Sequence, residues 1–208
     1  MAVPRIARAL TTGALMALGT TLAACGGDAP PASSRSWAAY NRARTGWTTE
    51  GRRAVERTAA TLADRLGCTG FAGEDFRAWA KTYRDGRVPL PLAAGTCELT
   101  GGEGETLLIE AFGTEPPTVA DALDARSRVI CPLVRKEGLP GQPWVRTRDR
   151  VLIQPDRPDT ARRIAGAFPG AEHGAVCPEA TRRFFERLER PQPPGPPTPS
   201  SPGAEPGG

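Results

Sequence analysis

Four cysteines in the body of the chain, Cys68, Cys97, Cys131 and Cys177, are the residues whose type and spacing most constrain the available chemistry. Their spacing fits neither a CxxC redox pair nor a zinc ribbon, and there is no CxxCH for haem attachment. An even set of thiols reads instead as two disulfides if the chain reaches an oxidising compartment, and paired thiols are not nucleophiles. Four cysteines permit three pairings. Cys68–Cys97 with Cys131–Cys177 is preferred, because each bridge then closes neighbouring elements rather than crossing the domain.

The acid–base inventory is sparse. His173 is the sole histidine and lies in Gly170-Ala171-Glu172-His173-Gly174, which reads as an exposed loop. No G-x-S-x-G, S-x-x-K, P-loop or dinucleotide fingerprint occurs. Glu98 and Glu110 fall on facing strands of a hairpin, where two carboxylates at the right separation would suit glycoside hydrolysis. The ordinary reading is that both sit on the solvent face of a strand. Glu103 with Glu105, and Asp156 with Asp159, offer too few oxygens for a calcium loop and read as turn and cap residues. Trp79, Tyr83 and Trp144 would make an aromatic binding surface if the fold brought them together, with core packing as the simpler alternative. No catalytic residue, metal site or cofactor is expected. Arg148-Asp149-Arg150 reads as a solvated turn.

Elements that would position these residues follow from apolar spacing. Val55, Ala59, Leu62 and Leu66 recur at helical intervals after the possible caps Thr48 and Thr49, and Gly67 supplies a stop. Phe76, Trp79, Ala80 and Tyr83 predict a second helix between Glu74-Asp75 and Gly86. Strands are expected at 95–100 and 106–112, then a helix capped by Thr118 that carries Val119, Ala122 and Leu123. The order repeats, with strands at 144–147 and 151–154 and a helix from Asp159 carrying Ile164. A last amphipathic helix runs from Pro178 to about Arg190. The expected fold is therefore α+β: a four-stranded antiparallel sheet from two hairpin-helix units, both helices on one face, with flanking helices and disulfide staples.

The chain ends differ in kind from this core. Met1 to Arg8 carries Arg5 and Arg8, Ala9 to Leu22 is free of charge, and Leu22-Ala23-Ala24-Cys25 closes the run. This segment resembles a bacterial type II signal peptide, which implies removal of residues 1–24 and diacylation of Cys25. Residues 25–47 are expected to be a flexible tether, in which Trp37 and Tyr40 can support a short helix and Arg35, Arg42 and Arg44 can lie over anionic lipid. A single domain spans 48–190. Residues 191–208 hold eight prolines and four glycines and predict a disordered tail. With Leu62 to Cys68, Gly95-Thr96-Cys97, Trp144-Val145 and Ile164-Ala165 added, the chain resembles small uncharacterised actinobacterial lipoproteins. That resemblance implies a location and disulfides, and transfers no activity.

Charge excludes one partner class. From Thr48 to Arg190 there are 22 Lys and Arg against 21 Asp and Glu, interspersed rather than gathered into a stripe, so no nucleic acid is expected. The reading is of a lipoprotein held on the outer face of the bacterial cell membrane through acylated Cys25. Its expected role is non-catalytic binding of an envelope protein or component. The alternatives are small-molecule binding or sensing, and a carboxylate-dependent hydrolase.

Overall fold

The computed structural model describes residues 36–100 and 104–189. Cys25, the signal segment, Glu103 and the Pro/Gly-rich tail lie outside the described residues. The elements in order are α1 (Ala38–Ala43), α2 (Thr49–Leu66), β1 (Cys68–Gly73), α3 (Phe76–Thr82), β2 (Ala93–Leu99), β3 (Glu105–Ala111), α4 (Val119–Glu137), β4 (Pro143–Arg146), β5 (Val151–Gln154), α5 (Pro158–Ala167), β6 (Glu172–Ala175) and α6 (Pro178–Glu189). Every strand pair is antiparallel, in the order β1-β2-β3-β5-β4-β6.

The sheet has six strands where the sequence predicted four. The two additional strands are its edges. β1 (CTGFAG) exposes every residue but Cys68 and is interrupted by a register shift between Thr69 and Ala72. β6 (EHGA) is short and polar. An edge strand with one neighbour needs no apolar alternation, so neither carried the period-two signal. His173, expected in a loop, thus sits in β6 opposite Val145.

Helix ends follow the local chemistry. The Thr48 side chain accepts from the Gly51 amide at the start of α2, and Gly67 ends the helix with φ 72°, a conformation open to glycine. Thr118 and Asp121 form a reciprocal capping box at the start of α4. Close approach fixes Gly51 as well. A Cβ there would come within 2.7 Å of the Leu92 backbone, so the first turn of α2 lies directly on the chain entering β2.

The helices divide between the two faces, contrary to the expectation of one shared face. Leu107, Ile109, Val145, Val151 and Ile153 pack with Val55, Leu62 and Ile164, which places α2 and α5 on the first face. The alternate residues of the same strands point the other way. Leu152 packs there with Phe112, Val119 and Ala122, which places α4 on the second face. Cover on both sides explains why all four residues of β5 are buried.

Both expected disulfides are formed. Cys68–Cys97 joins β1 to β2, with Cα atoms 5.9 Å apart. Cys131–Cys177 ties the middle of α4 to the start of α6, with Cα atoms 5.5 Å apart. Residues 36–47, expected within the tether, are packed on the domain. Trp37 and Asn41 are buried, and Asn41 donates to the carbonyls of Tyr83 and Val88 while accepting from the Leu90 amide. Both donors and the acceptor oxygen of that side chain are thus engaged by one loop, which fixes α1 beside α3.

Candidate functional site

The second face of the sheet collects the polar and aromatic residues. Glu110 of β3 is fully buried, beside the equally hidden Gln154 of β5 and Arg126 of α4. Arg126 Nη2 donates to Glu110 Oε1 at 2.6 Å, and Gln154 Nε2 donates to Glu110 Oε2. Both carboxylate oxygens are therefore engaged by donors from neighbouring elements. Arg126 Nη1 is buried without a hydrogen-bond acceptor.

Burial works against the Arg126 charge, but the Glu110 carboxylate beside it more than offsets this and raises the guanidinium pKa. Tyr83, half-buried at the end of α3, lies close enough to interact with both. Its phenol is pushed up to about 12, mainly by burial, with Glu110 adding to the rise and Arg126 opposing it. At neutral pH the set is a carboxylate, a guanidinium and a neutral phenol. It has no net charge and no free base.

Around Tyr83 the aromatic residues form a continuous shelf. Trp79 and Tyr83 are stacked, with centroids 5.2 Å apart and planes 8° from parallel. Trp47 meets Phe76 edge-on at 4.9 Å and Trp79 at 6.0 Å. Glu74 holds the two indoles in place: its carbonyl accepts from Trp47 Nε1 at 2.7 Å, and its carboxylate accepts from Trp79 Nε1 at 3.2 Å and from Thr96 Oγ1 at 3.4 Å. α3 carries Phe76 and Trp79 and runs into Tyr83, yet none of its residues is buried. The rings are fixed by each other and by Glu74, with Trp47 also packed against the core, and each keeps part of its surface in water.

The structure separates other residues that the sequence grouped. Trp144 lies beneath α4 against Leu123 and the Cys131–Cys177 region, apart from the Trp79–Tyr83 stack. Glu98 is paired with Thr106, and Glu110 with Ala94, so four residues of strand separate the two carboxylates. At about 3.4 Å per residue that is about 14 Å. Glycosidase pairs lie within about 9.5 Å, so this pair is not assembled for that reaction.

The acidic turn residues are also committed. Glu105 accepts from the amides of Asp156 and Arg157 and from Thr160 Oγ1, which caps α5 from a neighbouring strand. Asp159 pairs with Arg162. Among the described residues no group of three or more metal-ligating side chains converges, and no helix is long and apolar enough to cross a membrane.

Sequence reasoning missed Arg126, which reads as one more polar residue of an amphipathic helix. The available signal was its spacing: Val119, Ala122 and Arg126 lie on one α4 face, so the charge had to meet the sheet.

No protein-family model, curated protein or solved structure matches this chain.

Proposed function

We propose that the chain is a lipid-anchored extracytoplasmic binding module, acylated at Cys25, held on the outer face of the cell membrane, and applied to an envelope protein or component through its aromatic shelf. The observation that carries the binding surface is α3: a helix that presents Phe76 and Trp79, leads into Tyr83, and buries no residue. Fixed, half-exposed aromatic side chains supply large contact area at small entropic cost, and they are enriched at interfaces. The polar cluster beneath them supports the same reading. Glu110 and Arg126 balance each other's charge, so a partner need not neutralise a buried ion at this pair.

Two disulfides agree with export to an oxidising compartment. The address itself rests on the sequence of residues 1–25.

Position-resolved photocrosslinking in intact cells tests the binding surface. A photoreactive residue at Arg77, on exposed α3, should give a discrete crosslinked band that Trp79→Ala removes. The same probe at Arg163, on α5 and the opposite face, should give none. Identical products from both positions would refute the assignment of the shelf.

A further inference from the structure

On the first face, between the start of α2 and the β4–β5 turn, lies a concavity of about 100 Å³, several times the space one water needs. Its lining includes the small residues Ala54 and Ala111 together with charged residues of α2 and of the turn. Glu50, Ala54 and Arg57 follow one another at spacings of four and three residues, so one face of α2 supplies two rim charges with a small residue between them. The turn supplies Arg148, Asp149 and Arg150.

Among the described residues, one of the three rim arginines is paired and two are not. Arg150 adopts φ 61°, uncommon for a residue with a side chain, and is held there as its amide donates to Thr147 and its carbonyl accepts from Phe112. Its guanidinium reaches Glu50 at 3.5 Å. Arg148 lies across Gly170, where a Cβ would fall 2.2 Å from Arg148 Nε. Among the described residues, the Arg57 and Arg148 guanidiniums have no hydrogen-bond or ion-pair partner. Three guanidiniums against two carboxylates leave one excess positive charge around the concavity.

From this geometry we infer that the concavity binds a phosphate group, with Arg57 and Arg148 as the donors and Arg150 fixed at the rim by Glu50. Planar guanidinium forks match phosphate oxygens, and the site offers two with nothing else to bind. The first turn of α2 adds a favourable field for an anion, although it does not carry the inference. A free phosphate and a phospholipid headgroup share this chemistry. The inference does not depend on the aromatic shelf, which shares no residue with the concavity.

Isothermal titration of the full chain, purified in a neutral detergent, distinguishes these sources with inorganic phosphate in one arm and a soluble short-chain phosphatidylglycerol in the other. Ionic strength is matched with chloride. Arg57→Ala/Arg148→Ala should weaken phosphate binding about tenfold or more, whereas Arg182→Ala/Arg183→Ala, which removes the same charge from α6, should not. Asp149→Asn should tighten binding, and Asp64→Asn, remote on α2, should leave it unchanged. Binding in both arms assigns the site to a phosphodiester headgroup, and binding in the first arm alone assigns it to free phosphate. Absence of binding in both arms, or equal losses in the two double variants, would overturn the inference.

Discussion

Replacing Arg126 by methionine should be among the most damaging single changes in the domain. Methionine fills most of the space left by the arginine stem, so the cost is mainly electrostatic. The Glu110 carboxylate, fully buried, keeps Gln154 as its one remaining side-chain donor among the described residues and loses the 2.6 Å bond that balances its charge. Removing one partner of a buried ion pair costs about 3–5 kcal/mol, because the remaining charge must be protonated or solvated. Gln154 softens this, which puts the expected loss near the lower figure. For a domain whose total stability is about 5–15 kcal/mol, that is a large fraction. With a urea m-value of about 2 kcal/mol/M, the unfolding midpoint should fall by about 1.5 M while the slope stays constant. Arg126→Met/Glu110→Leu removes both charges and should recover most of the loss, since a well-packed apolar pair can replace a buried ion pair at little cost. The assay is urea unfolding followed by circular dichroism with disulfides intact. A midpoint for Arg126→Met within 0.5 M of wild type, on the order of 1 kcal/mol at that slope, would refute the reasoning.

Loop closure by the two disulfides gives the next expectation. With sequence separations of 29 and 46, replacing either pair by alanine should cost about 3.5–4 kcal/mol, measured by thermal or urea unfolding. Tyr83 and Tyr40 are the only tyrosines. Spectrophotometric titration should show Tyr83 ionising near 12, and Tyr83→Phe should remove that step. Because its folded pKa lies above the unfolded value of 10, the Tyr83 contribution is fully present below pH 10 and is lost as pH rises through 12, so stability should decline across that window. Glu105→Ala should lower stability by about 1–2 kcal/mol, through loss of the cap that it supplies to α5, with the change read from the unfolding midpoint.

How far the sequence revealed this arrangement can be judged element by element. Helix caps were legible because they depend on a few neighbouring residues: Thr48, Gly67, Asp75 and Thr118 each act where their chemistry placed them. The central hairpins were legible because their cores need apolar pairs. β1 and β6 were not, since an edge strand of Gly, Thr and His carries no such requirement. Which face α4 covers was hidden for a different reason. Leu152 and Ile153 are equally apolar, and only the register that turns one to each face decides which helix meets which. The candidate site follows the same division. Trp79 and Tyr83 were legible as a pair four residues apart on one helix, whereas Trp47, Glu74 and Arg126 join them through tertiary packing.

The central proposal, an envelope module anchored through Cys25, stands or falls with the attachment of that residue. Two acyl chains hold a protein on a bilayer where one chain is marginal. Detergent-phase partitioning of wild type and Cys25→Ser, expressed in a bacterium that processes lipoproteins, tests it most directly. Wild type should enter the detergent phase with an intact mass showing a diacylated N-terminal cysteine, and Cys25→Ser should lack that mass and remain unprocessed or misprocessed. Equal recovery of the two proteins in the aqueous phase, with a free thiol at Cys25, would contradict the account.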